Sequence, residues 1–251
     1  MKNILPFICL ILLVSSCAES STSKGDASTS SATDSDNPSK VTPFLTSSGT
    51  PALSAIIPLL PFKPDGKKVS YVTTASVVNG VVPEWMNAKI EVIEKTGFIV
   101  DKIDISTLTP EDMEEAFSQC DLIWVGGGNT LYLLQEVRKS GFDKYLTNKI
   151  LEGVPYVGAS AGSIILGPDL EFELFASRTP ELTSYEGLNL FPFAPYVHFD
   201  AEWTKELYAD ILKFSLENNK SFITLRDDQF IYVTGEKWQV IDVEAEHNKK
   251  K

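Results

Sequence analysis

Pro155-Tyr156-Val157-Gly158-Ala159-Ser160-Ala161-Gly162-Ser163 is an apolar run that breaks into Gly-x-Ser-x-Gly and continues as the apolar stretch Ile164–Leu166. Aromatic and β-branched residues before the first glycine suit a buried strand over Pro155–Ala159, and the run after Ser163 suits a helix. Small residues on either side of Ser160 let the chain turn sharply with the serine at its tip, as in a nucleophile elbow. A helix N-terminus with unpaired backbone N–H groups would favour a developing anion there. The same pentapeptide also fits a tight strand-to-helix turn packed through its glycines, and the stretch alone leaves both readings open.

Upstream lies a second strand followed by glycines, Asp121-Leu122-Ile123-Trp124-Val125-Gly126-Gly127-Gly128-Asn129-Thr130. Glycines directly after a strand let a ligand approach the backbone. A phosphate loop is a poor reading, because there is no G-x-x-x-x-G-K-[ST] and Leu131 stands where a third glycine would be needed. Backbone N–H groups that face the serine and bind an oxyanion fit better.

Further out, strands and helices alternate. Strands are expected at Val41–Thr46, Val69–Ala75, Ile99–Ser106, Asp121–Val125, Pro155–Ala159 and Ser221–Leu225, and helices at Pro83–Thr96, Pro110–Gln119 and Thr130–Ser140. Pro110, followed by Glu111 and Asp112, reads as a helix start. Phe230–Thr234 and Trp238–Val243, flanking Gly235-Glu236-Lys237, read as a hairpin on the sheet edge. The alternation predicts an α/β fold with a mostly parallel sheet covered by helices on both faces.

A serine nucleophile needs a base, and the chain has two histidines. His247 lies in the polar tail EAEHNKKK, which leaves His198 in Phe191-Pro-Phe-Ala-Pro-Tyr-Val-His198-Phe-Asp200. Val125-Gly126-Gly127-Gly128-Asn129-Thr130, with Asn129 standing 31 residues before Ser160, Gly-x-Ser-Ala-Gly, Gly187-Leu188-Asn189-Leu190-Phe191-Pro192 and His198-Phe199 follow one another in order. Over about Val41 to Asp242 the chain resembles the peptidase E (aspartyl dipeptidase) family of serine peptidases, which includes the cyanophycinases.

The resemblance implies a three-layer α/β sandwich similar to class I glutamine amidotransferases. It makes Ser160 the nucleophile and His198 the general base, with the amides of Gly128 and Ala161 as the oxyanion hole. The family's triad acid lies in a Leu-x-Glu-Gly turn. Here that turn reads Leu225-Arg226-Asp227-Asp228, so Asp227 takes the role, with Asp228 adjacent and Asp200 and Asp169 as rivals. Where the family's aspartyl dipeptidases carry Thr-Arg-Glu, this chain has Thr204-Lys205-Glu206. Lysine keeps the charge but loses the planar fork of arginine. Lys205 and Asn129 are the candidate substrate-binding residues, and a solvent-facing helical lysine is the competing reading of Lys205. No cofactor or metal is implied. The expected function is hydrolysis of short peptides, dipeptides with N-terminal aspartate among them. A β-aspartyl isopeptidase resembling the cyanophycinases and a non-catalytic surface-binding lipoprotein are the alternatives. A lipase or esterase fits less well, because its Ser…acid…His order leaves the Gly126–Asn129 segment unexplained.

The N-terminus reads as an address. Met1-Lys2-Asn3 precedes an apolar run over Ile4–Val14, too short for the ~20 residues that span a bilayer but suited to a secretory signal. Ser15-Ser16-Cys17 resembles a bacterial lipobox, so residues 1–16 are expected to be cleaved and Cys17 to carry lipid. The predicted localisation is a bacterial membrane of the cell envelope. Residues 18 to about 40, rich in Ser, Thr, Ala and Asp, cannot bury enough surface to fold and predict a tether of roughly 25–30 Å. The folded domain is expected over 41–244 and a polar tail over 245–251. Cleavage would remove Cys9 and leave Cys120 as the free thiol, read as core. With 34 Asp and Glu against 22 Lys and Arg, the net charge is −12, which argues against nucleic acid as a partner. The 43% hydrophobic content supports a sizeable core, and no oligomeric state can be read from the sequence.

Overall fold

The computed structural model of the chain describes residues 43–77, 80–177, 181–235 and 237–244. The expected signal, tether, Cys17, first two residues of the first strand and polar tail lie outside them.

In chain order the elements are β1 (Pro43–Thr46), α1 (Leu53–Ile56), β2 (Lys68–Val72), α2 (Glu84–Glu94), β3 (Ile99–Ile103), α3 (Met113–Ala116), β4 (Leu122–Val125), α4 (Thr130–Ser140), α5 (Phe142–Leu151), β5 (Tyr156–Ala159), α6 (Ala161–Ile164), β6 (Ala194–Tyr196), α7 (Glu202–Asn218), β7 (Phe222–Thr224), β8 (Gln229–Thr234) and β9 (Lys237–Asp242), with short 3₁₀ turns between several of them. Seven strands form one sheet in the order β3-β2-β4-β5-β1-β8-β9. The first five run parallel, and β8 and β9 close the edge as an antiparallel hairpin.

Alternation along the strands builds two cores. Leu45, Ile123, Val125, Tyr156 and Ile231 join one cluster with α4 to α6, while Phe44, Leu122, Trp124, Val157 and Phe230 join the other with α1 and α2. Each interior strand therefore buries both faces, which is why β4 and β5 read as unbroken apolar runs. The helices follow the same logic: Met86, Ile90 and Ile93 put one buried stripe of α2 against the sheet.

Several expectations differ from the structure. Val69–Ala75 stops at Val72, and the helical run expected over Ile164–Leu166 is the single turn Ala161–Ile164. Pro110–Gln119 is a 3₁₀ turn capped reciprocally by Thr109 and Asp112, then the single α turn of α3. Ile99–Ser106 stops at Ile103, because Asp104 caps the next turn by accepting from the Ser106 N–H. The strand expected at Ser221–Leu225 is β7, and it pairs in parallel with β6 in a separate two-stranded sheet instead of joining the main one.

Candidate active site

The parallel strands β1, β4 and β5 end together, and the turns that follow them make the site. After β5 the chain enters Ser160 at φ 51° and ψ −111°, a state that costs a non-glycine residue roughly 1–3 kcal/mol. Its neighbours hold it there. Ser160 N–H donates to Thr46 O at 3.1 Å, and Ile164 N–H donates to Ser160 O at 3.0 Å. The buried Ser163 Oγ lies 2.7 Å from Thr46 O and 2.8 Å from Gly158 O, while Tyr156 OH donates to Gly162 O at 2.6 Å.

Both glycines of the motif are forced by space. A Cβ on Gly158 would lie 2.7 Å from the Gly162 carbonyl, and one on Gly162 would lie 2.2 Å from Val125 O. The β4 turn is as tight. Gly128 has φ 143°, a Cβ on it would meet Ala75 O at 2.1 Å, and a Cβ on Gly127 would sit 3.0 Å from Ser160 Cβ. Thus the Gly126–Gly128 backbone packs directly beside the serine. Among the described residues, neither the Gly128 nor the Ala161 amide donates to a protein acceptor.

His198 stands just beyond β6, at φ 55°, with Nε2 3.1 Å from Ser160 Oγ. Its Nδ1 lies 2.5 Å from Asp227 Oδ1, Asp227 being in the turn between β7 and β8. Pairing of β6 with β7 brings the histidine and the aspartate together. The hydrogen bond from His198 holds the Asp227 carboxyl below its ordinary range against the cost of burial, helped by Ser47.

Ser47 has no signature in the sequence, yet it ties these parts together. Its Oγ donates to Asp227 Oδ1 at 2.9 Å and accepts the His198 N–H at 2.7 Å. It could have been suspected only from its place at the end of β1, the strand beside β5.

The other carboxylates have other partners. Asp200 accepts the Asp227 N–H at 3.1 Å, Asp228 pairs with Arg226, and Asp169 pairs with Lys220 at 2.5 Å. Asn129 caps α4, its side-chain oxygen accepting from the Tyr132 N–H at 2.9 Å.

A cavity of about 230 Å³ opens beside Ser160, lined by Gly128, Asn129, Thr130, Glu173, Tyr196, His198 and, from α7, Trp203, Leu207 and Ile211. Lys205 does not reach it. At 3.6 residues per turn Lys205 lies about 120–160° around the helix from those three; its exposed ammonium pairs with Glu202 at 3.1 Å. Glu173 and Trp203, both on the wall, were not singled out from the sequence. Cys120 is half-buried against the core, where burial pushes its thiol up.

The family model of peptidase family S51 matches residues 44–241. An uncharacterized peptidase of Listeria innocua serovar 6a is 32% identical over 176 residues, 66% of this chain and 84% of that protein. Peptidase E of Shewanella oneidensis is 32% identical over 154 residues, 60% of this chain and 61% of that protein. The crystal structure of a protein assigned as peptidase E from Listeria monocytogenes EGD-e superposes with a TM-score of 0.72 at 28% identity, covering 81% of this chain and 98% of that one. A peptidase from an acI-B1 actinobacterium, 20% identical with a TM-score of 0.62, shares the fold over 82% of this chain and 89% of its own.

Proposed function

The chain belongs to peptidase family S51, a family of peptide hydrolases, and from that premise we propose that it is a serine-type peptidase of short peptides. The observation that carries this reading is the line Asp227–His198–Ser160, with spacings of 2.5 and 3.1 Å. Ser160 Oγ–H gives its proton to His198 Nε2 as Oγ attacks the scissile carbonyl carbon. Asp227 accepts from Nδ1–H, which fixes the tautomer and stabilises the imidazolium. The carbonyl oxygen becomes an oxyanion held by the amides of Gly128 and Ala161, whose lack of acceptors among the described residues supports that role. The tetrahedral centre collapses, the C–N bond breaks, and His198 returns the proton to the leaving amine. Water, deprotonated by His198, then cleaves the acyl-enzyme.

The size of the cavity supports short substrates: about 230 Å³ is below the ~300–1,000 Å³ of sites for drug-sized ligands. Selection of N-terminal aspartate through Lys205 is no part of the proposal, since that ammonium faces away from the cavity. From the order of residues 1–17 alone we also propose export and a lipid on Cys17. Mass spectrometry of the membrane fraction tests this, and an unmodified Cys17 rejects it.

The test of the peptidase is release of amino acids from a panel of dipeptides by the detergent-solubilised chain, as wild type and Ser160→Ala. Cleavage by the wild type that falls at least 10³-fold in the variant supports the mechanism. Equal cleavage by both proteins refutes a Ser160 acyl-enzyme.

A further inference from the structure

The cavity wall carries one acidic side chain that the mechanism leaves without a task. Glu173 belongs to the 3₁₀ turn Glu171–Phe175 and lines the same cavity as Ser160 and His198. Its carboxyl bonds to the side chain of Thr130, the first residue of α4, and lies within electrostatic reach of His198. Among the described residues of that wall, only His198 and the Tyr196 phenol besides Glu173 can carry charge.

Neighbouring acids are matched: Asp227 by His198, Asp169 by Lys220 and Asp228 by Arg226. Glu173 has no Lys or Arg partner among the described residues. Burial pushes its carboxyl up, since a carboxylate partly withdrawn from water is costly to ionise.

A half-buried acid on the cavity wall shared with the reacting serine is complementary to one ligand chemistry, an ammonium group that enters with the substrate. Resting on the peptidase reading above, we propose that Glu173 is a substrate-binding residue. It receives the ammonium of the residue whose carbonyl is attacked, whether that is a free α-amine or a lysine side chain. A free α-nitrogen is only about 2.5 Å from the carbonyl carbon of its own residue, so one small cavity can hold the amine end and the reacting carbonyl together. An aspartate side chain pointed at this wall would meet a like charge. Glu173 thus separates the specificity of this chain from selection of aspartate.

The experiment compares the detergent-solubilised wild type with Glu173→Gln, which keeps the shape and the hydrogen bond to Thr130, on Ala-Leu, N-acetyl-Ala-Leu and N-acetyl-Lys-Leu. Binding of Ala-Leu is measured by calorimetry on Ser160→Ala with and without Glu173→Gln. An α-amine ligand predicts cleavage of Ala-Leu but not of its acetylated form. It also predicts a KM for Ala-Leu raised about tenfold to a hundredfold in Glu173→Gln at near-constant kcat, the loss of one charge-assisted hydrogen bond, and the same factor in Kd. A lysine ligand predicts that N-acetyl-Lys-Leu is the good substrate and suffers that loss. An unchanged KM and Kd in Glu173→Gln for every peptide the wild type takes overturns the proposal, while loss of cleavage in Ser160→Ala would leave the peptidase standing. Cleavage that survives Ser160→Ala fails the serine reading instead. A wild type that neither cleaves nor, as Ser160→Ala, binds any of the peptides overturns both.

Discussion

At the scale of single residues the site depends on atoms that are missing as much as on those present. A methyl group on Gly162 would press into the backbone oxygen of Val125 at 2.2 Å, and neither β4 nor α6 can yield without moving the strand ends. Gly162→Ala should therefore cost about 3 kcal/mol or more, a fall in Tm of roughly 6–12 °C for a chain of this size. Gly235→Ala is the control. That glycine has φ 59° with nothing within 4 Å of a built Cβ, so only left-handed strain of about 1–2 kcal/mol applies. Equal melting shifts in the two variants would show that the Gly162 contact is relieved cheaply. Ser47 is the complementary case, a side chain whose presence matters. It touches the His198 amide and the Asp227 carboxylate but not the cavity. Ser47→Ala should lower kcat about tenfold, the worth of roughly one hydrogen bond, with KM unchanged. A rise in KM at constant kcat would contradict this positioning role.

At the scale of elements, the parts legible in the sequence are those whose signals are local. Asn129 caps α4 and Gly141, in a left-handed conformation, ends it, so Thr130–Ser140 could be read at both boundaries. The unbroken apolar runs of β4 and β5 reported a strand buried on both faces. Helix α5 was not read, because Gly141 alone separates it from α4. Strand β6 was hidden too: it is three residues long, has Pro195 at its centre, and owes its existence to β7, 28 residues away in register. No local pattern reports such a pairing, although it holds His198 and Asp227 in reach of each other. The link from β6 into α7 is tied by Thr204, fully buried, whose Oγ1 lies 2.5 Å from His198 O and 2.6 Å from Ala201 O. Tyr196 OH donates to Thr204 O at 2.6 Å from the other side. Thr204→Val keeps the volume and removes the hydroxyl, so Tm should drop by about 2–4 °C for a loss near 1 kcal/mol. Activity should fall with it, because the His198 backbone, held at positive φ, loses a restraint. Full activity in this variant would show that β6 and β7 alone fix the histidine.

For the whole molecule, carboxylates outnumber basic side chains, 34 to 22, so acid groups dominate the response of stability to pH. Asp112 is held below its ordinary 3.8 by the Thr109 N–H and hydroxyl. Burial alone would raise Asp121, but its bonds from the Lys68 N–H and the Lys67 ammonium outweigh this and lower it. Asp227 is lowered by His198. Each of these acids binds fewer protons folded than unfolded as pH falls below 3.8, so its stabilisation is present above that value and is lost on the way down through the folded one. Glu173 has the opposite sign. With its carboxyl raised above the ordinary 4.5, the native state holds its proton longer than the unfolded chain does. Stability therefore declines as pH climbs from 4.5 to the folded value, and the penalty persists above it. Glutamine has no such ionisation. Glu173→Gln should then match the wild type in Tm below pH 4.5 and exceed it at pH 7, by a margin that opens between those points. Both proteins should share the acid-side fall set by Asp112, Asp121 and Asp227. Melting curves from pH 3.5 to 8 measure the difference. A variant equally or less stable than the wild type at every pH would mean that ionised Glu173 carries no penalty in the free protein, and the cavity would lose its claim to be an acid waiting for a cation. The margin at pH 7 is the stability the fold gives up to keep that acid beside Ser160, the trade expected where a group is retained for binding and not for folding.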